Sequence, residues 1–199
     1  MRILGMDTAY KQLVLGLYED GKLIDGCSES AFKKQSEELF PRLNELLRKN
    51  GWTYKDLDGI VITDGPGSYT GIRIAMTAAK VLASQLGLDL YTISTMQLYA
   101  GKEEAVNVIL DARGGRVYAA HLENGQGAEP TQIVPLTELE AWLEARPGRL
   151  VGDTYILEQE SEEPDFLQNI IDLQPDWVKA ENVHALTPDY LKDSSAYKA

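Results

Sequence analysis

Cysteine is almost missing. Cys27 is the one thiol in 199 residues, so neither an intramolecular disulfide nor a cysteine-built zinc cage can form, and a reducing, cytoplasmic setting is expected. Histidine is scarce too. His121 and His184 stand far apart, without the pair of imidazoles one helical turn apart that a zinc hydrolase or metal-dependent transferase carries. No apolar run is long enough to cross a bilayer, and MRILGMDTA runs straight into a strand pattern without the form of a secretory leader. No membrane partner is expected. Positive charge is outnumbered, 19 Lys and Arg against 31 Asp and Glu for a net charge of −12. Such a surface repels nucleic acid, whose affinity rests on phosphate neutralisation, so RNA is expected to be met only through another chain. A Gly-Lys-Ser/Thr triplet is also absent, which removes a Walker loop.

What is present is concentrated in IVITDGPGSYTGIRIAMTAAKVLA, residues 60–83. A β run over 59–63 meets a turn holding Gly65, Pro66, Gly67 and Gly71, and the turn opens into a long apolar helix with Thr70 as its N-cap and Gly87 as its stop. Glycines allow close backbone approach, and a helix start offers unpaired N–H groups and a positive dipole end. That is an anion seat in outline. Two readings stay open: a phosphate or nucleotide site, or a tight βα turn that serves packing. The dinucleotide fingerprint does not fit, since Thr70 stands where its third glycine belongs. Ala75, Ala78, Ala79 and Ala83 predict a helix buried between other elements.

Two stretches echo each other. Residues 2–24 and 106–133 each contain an apolar strand ending in an aspartate (Asp7, Asp111), a polar turn, a second strand and a hairpin signal, Asp20-Gly21 or Asn124-Gly125. A third strand closes each copy. A helix over 36–49 follows the first copy, with Leu39, Leu43, Leu46 and Leu47 at helical spacing. Pro41 either kinks it or marks its first turn. After the second copy, 137–145 reads as a helix, 149–151 as a strand, and 154–174 as helical with an acidic loop inside. The pattern predicts an α/β fold made by duplication, with mixed sheets flanked by helices, lobes over 1–101 and 102–199, and a cleft where the aspartates point. Each aspartate capping only its own turn is the plainer alternative.

Candidate chemistry is thin. A phosphotransferase of the sugar-kinase type needs a carboxylate base and phosphate-binding loops. Asp7 and Asp111 could supply carboxylates, and Gly65, Gly67, Ser68 and Gly71 a loop. Asp64 at the loop's mouth opposes an anion unless it caps a backbone N–H or holds Mg²⁺. Arg73 and Arg113 could offset it, or serve as a solvated helix charge and a turn salt bridge. Ser68 has no neighbouring base. Trp52, Trp142 and Trp177 read as separate packing anchors.

The segments ILGMDTA (3–9), SEELFP (36–41), GPGSYTGIRIA (65–75), LDARGGRVYAA (110–120), VGD (151–153) and TPDYL (187–191) resemble the TsaB family in that family's order. GPGSYTGIRI and DARGGRVYAA are the specific ones. The family was formerly grouped with glycoprotease-like proteins, within the actin/Hsp70/sugar-kinase superfold. The resemblance implies an actin-like fold and a non-catalytic partner of TsaD in forming threonylcarbamoyladenosine in transfer RNA, with a TsaE-type ATPase completing the assembly. It implies an interface on the two N-terminal helices, through Leu39, Phe40, Leu43, Leu46, Leu47, Ile72, Arg73 and Met76, that also serves a homodimer when the chain is alone. No cofactor or metal is required. Weak ATP or ADP at or near the TsaD interface, on Asp7, Thr8, the glycine turn, Asp111 and Arg113, is one reading of the turn; a surface shaped for TsaE is the other. Ala9 departs from the Ser or Thr of active superfold members, and Gln35 from the His frequent before Ser-Glu. The stretch 151–187 looks shortened. The apolar faces of both helices are expected to stand partly uncovered in the free monomer. A stand-alone ATP-dependent phosphotransferase is the alternative function.

Overall fold

The computed structural model describes residues 1–31 and 33–191. The first half builds β1 (Arg2–Asp7), β2 (Gln12–Glu19), β3 (Lys22–Ser30), α1 (Gln35–Lys49), β4 (Gly59–Thr63), α2 (Tyr69–Leu86), β5 (Asp89–Ile93) and α3 (Thr95–Ala100). The second builds β6 (Val106–Asp111), β7 (Arg116–Glu123), β8 (Gln126–Gly127), β9 (Gln132–Pro135), α4 (Leu136–Glu144), β10 (Arg149–Gly152), α5 (Phe166–Asp172) and β11 (Val178–Lys179). Both hairpin turns form as expected, with Asp20, Gly21, Asn124 and Gly125 all at positive φ, the conformation that suits the right-handed twist of the strands.

The duplication is visible in the sheets. One has the order β11-β5-β4-β1-β2-β3 and the other β10-β6-β7-β8, with β9 also on β7. In each copy the Asp-bearing strand pairs antiparallel with the next strand and parallel with the strand beyond the helix, β1 with β2 and β4, β6 with β7 and β10. This repeated antiparallel-then-parallel plan is the actin-like α/β architecture. The second copy is reduced: its third strand is split into short β8 and β9, and among the described residues nothing stands in for β5.

Alternation along the strands sorts the side chains into three cores. Leu4, Met6, Ile60 and Ile62 face α1 and α2; Ile3, Val14, Tyr18 and Val61 face α3, α5 and the second sheet; Ile109, Val117 and Ala119 face α4. Trp52, Trp177 and Trp142 fall one to each core, as separate anchors.

Several expectations are corrected. The N-cap of α2 is Ser68, whose hydroxyl accepts the Gly71 N–H at 3.2 Å; Thr70 lies inside the helix, while Gly87 ends it at φ 70°. Pro41 sits in the interior of α1, past its first turn. α2 is buried on one side only, and Tyr69, Thr70, Arg73, Thr77 and Val81 form an exposed stripe. Residues beyond the 101/102 seam also reach the first sheet, since β11 joins its edge. Ala180, Val183 and Leu186 then pack on the core under α1 and α2, and Lys80 donates to the carbonyls of His184 and Leu186 at 2.9 and 2.8 Å. Residues 192–199 of the second half lie outside the described residues. Among the described residues no helix is long and apolar enough to cross a membrane.

Candidate functional site

β1 ends in Asp7, whose carboxylate is 2% exposed. Its Oδ1 accepts the Ala9 N–H at 3.0 Å and the Thr63 hydroxyl. Burial raises its pKa, and the two donors act against that rise. The next residue, Thr8, is equally committed. Its hydroxyl donates to Gly71 O at 2.7 Å and accepts from Ala75 N at 3.0 Å. It thereby stands between the two ends of one rung of the α2 ladder. Ser68 N donates to Ala9 O at 2.7 Å. Glycine is required here by contact: a Cβ on Gly71 would lie 2.2 Å from Thr8 O, and one on Gly67 2.4 Å from Ala9 O. The close approach that a glycine turn permits is spent on the chain's own backbone.

The second copy repeats the turn and leaves it open. Asp111 Oδ1 accepts the Arg113 N–H at 2.7 Å, the same two-residue reach as Asp7 to Ala9. Arg113, Gly114 and Gly115 follow at φ 63°, 64° and 70°, and a Cβ on Gly115 would meet nothing within 4 Å. The anchor of this turn is Asp153, the last residue of the VGD tripeptide. Buried just after β10, it accepts Asp111 N at 2.7 Å through Oδ2 and Lys11 Nζ at 2.6 Å through Oδ1. Tyr10 Oη donates to Asp111 O at 2.8 Å, and Lys11 lies 4.6 Å from the Tyr155 ring centroid. The two copies are therefore clasped together across the ends of β1 and β6. The signal for the clasp was the tripeptide itself; nothing in its spacing from Lys11 gives the contact.

Between the copies opens a cleft of about 690 Å³, within the usual range for ligand sites. Gly67, Ser68, Gly71, Asp111 and Arg113 line it, together with Tyr10, Lys11, Gln35, Tyr69 and Tyr155, which sequence reasoning did not select as site residues. Asp7, Thr8 and Gly65 are not among its lining residues. Gly65 instead faces the C-terminal segment, where an added Cβ would lie 2.5 Å from Asp189 O. Asp64, beside it, points towards Thr92 and Asp189. Burial first, and then the Asp189 charge, push its pKa up to about 6, against a hydrogen bond from Thr92. It does not guard the cleft.

At the rim Tyr69 stacks on Tyr190 with centroids 5.1 Å apart, and the Arg73 guanidinium lies 4.5 Å from the Tyr69 ring centroid. The expectation of a partly uncovered leucine face fails. Leu39, Leu43, Leu46, Leu47, Ile72 and Met76 are all buried in the chain's own core, Leu43 completely. Their helical spacing is the signature of a face packed on the sheet below. Phe40 and Arg73 remain exposed. His121 is held by Asn107 through Nδ1 at 2.8 Å, and His184 lies in a loop. Among the described residues no group of three His, Cys, Asp or Glu side chains is placed to hold a metal ion.

The model of the family described as TsaD, tRNA N6-adenosine threonylcarbamoyltransferase, matches residues 28–138. A Bacillus subtilis protein named tRNA threonylcarbamoyladenosine biosynthesis protein TsaB is 30% identical, over 98% of this chain and 96% of that protein. The chain belongs to the TsaB family. The Escherichia coli TsaB is 30% identical over 70% of this chain and 64% of its own length. A Pseudomonas aeruginosa crystal structure, described as an uncharacterized protein with similarity to peptidase YeaZ, superposes with a TM-score of 0.79 at 22% identity, over 96% of this chain and 99% of that one. A second, YeaZ from the same organism, gives 0.73 at 21% with the same coverage. These two share the fold. The DARGGRVYAA string that suggested the family forms the open turn of the cleft and the strand after it.

Proposed function

We propose that this chain serves tRNA threonylcarbamoyladenosine formation in the cytoplasm as a non-catalytic partner of a TsaD-type protein. The name of its Bacillus subtilis relative, which matches nearly the whole chain, supports the pathway. One observation carries the non-catalytic part: the place where an actin-like phosphate loop would hold its ligand is filled by protein. Asp7 is buried on its own turn, the Thr8 hydroxyl is spent on α2, and Gly67 and Gly71 touch the Thr8–Ala9 backbone. A carboxylate base and a phosphate seat both require groups free to meet substrate.

The partner face in this reading is the outer stripe of α2, Arg73, Thr77 and Val81, together with the exposed Phe40 of α1. Val81 is 55% exposed with no role in the core, and exposed apolar groups on a regular helix face mark interfaces when they are contiguous. The same face pairs two copies when the partner is absent. A TsaE-type ATPase completes the assembly, nucleotide binding is weak and needed by no step of this chain, and tRNA is reached only through the complex.

Co-purification with the TsaD-type protein, followed by a modification assay with and without this chain, tests the reading. Val81→Glu is expected to keep the fold and lose the complex. Turnover of ATP by the pure chain, or tight ATP–Mg²⁺ binding by calorimetry, would overturn it in favour of a phosphotransferase.

A further inference from the structure

The cleft has a basic lining in a strongly acidic chain. Its lining contains Lys11, Lys33 and Arg113 but one carboxylate, Asp111, in a molecule of net charge −12. Asp111 Oδ1 is already used by the Arg113 N–H, and Lys11 is tied to Asp153. Arg113 is different. It is exposed, and among the described residues no carboxylate, carbonyl or ring engages its guanidinium. The chain nevertheless holds it at φ 63°, a conformation that a residue with a Cβ adopts at an energetic cost. Glycine would fit this position better for folding alone.

We propose that the cleft receives an acidic loop of the partner protein, and that Arg113 holds a carboxylate of that loop in a two-pronged pair. The inference rests on the reading of the chain as a TsaD partner. Three observations favour a protein carboxylate. At the glycine turn the Ser68 N–H, a donor a small phosphate would use, is spent on Ala9 O, and Gly71 is pressed on the Thr8 backbone. The wall is continuous with the proposed docking face, because Tyr69, Thr70 and Ile74 line the cleft while belonging to α2. Tyr69 and Tyr155 flank the opening and are 54% and 56% exposed, and Tyr with Arg is the side-chain set on which protein interfaces concentrate their energy. A guanidinium fork matches a carboxylate in a way an ammonium does not.

The test measures affinity for the TsaD-type partner at low and high salt. Arg113→Gly suits the backbone, so its melting temperature is not lowered, while binding weakens by about tenfold or more and becomes less salt-dependent. Arg113→Lys restores part of the affinity, and Arg113→Glu loses more than Arg113→Gly. Wild-type affinity and salt slope in Arg113→Gly overturn the proposal and leave the partner role standing. Failure of the wild-type chain to bind at all removes both. Inorganic phosphate or ATP bound by the wild type and lost in Arg113→Gly, with partner affinity unchanged, overturns it in favour of a small anion.

Discussion

The two aspartate turns share one sequence plan and one hydrogen bond, yet they do opposite work. Asp7-Thr8-Ala9 is sealed beneath α2, and every polar group named there is consumed by the protein. Asp111-Ala112-Arg113 keeps the same reach from carboxylate to the second amide, with its surroundings open. Duplication supplies the geometry, and what packs on the turn decides whether it becomes a structural keystone or a surface feature. The first copy has α2 to press on its turn. The second is shortened after β7, and its turn is braced by the buried Asp153 and by Tyr10 instead of by a helix.

Mutations should expose this asymmetry. Gly71→Ala is expected to have the largest effect, because its Cβ would lie 2.2 Å from a backbone carbonyl that cannot move without moving β1. Loss of about 3 kcal/mol or more by urea unfolding is expected; wild-type stability would show that the turn is looser than described. Next comes Asp64, whose pKa of about 6 lies above the ordinary 3.8. Since the folded state favours the protonated form, this group's contribution is full below about pH 4 and is lost as pH rises to about 6. Asp64→Asn should therefore gain up to about 3 kcal/mol at neutral pH and flatten the pH dependence of stability between those limits. A pH profile identical to wild type would place Asp64 in water.

Thr8→Val keeps the shape but orphans two buried backbone groups of α2, for about 2 kcal/mol. A double-mutant cycle with Gly71→Ala should be strongly non-additive, since both act on one contact. The smallest effect is expected in the open turn. Gly115→Asn meets no atom within 4 Å, and Asn tolerates positive φ, so a change under about 1 kcal/mol is expected. Should Gly115→Asn unfold the chain while Gly71→Ala does not, the contrast between the turns is reversed.

Leu43 shows where periodicity stops being informative. Leu39, Leu43, Leu46 and Leu47 do lie on one face of α1, as their spacing predicts, but a stripe looks the same whether it packs on a sheet or waits for a partner. The sheet covers it here, so Leu43→Glu should prevent folding, whereas Val81→Glu tests docking. The candidate site was half legible. Glycines announce close approach without saying to what, and Gly67 and Gly71 approach the chain itself. Lys11 and Asp153 are separated by 142 positions, and a contact of that span leaves no local pattern.

By itself the amino-acid order settled the longer strands, the repeated aspartate turn, the hairpins and the stop of α2, because each depends on local periodicity and on where glycine or asparagine can take positive φ. The burial of the leucine face, the sealing of one turn and the opening of the other were decided only in three dimensions. Burial and hydrogen-bond satisfaction depend on which surfaces meet, and the segments that cover α2 and brace the cleft arrive from the far end of the chain.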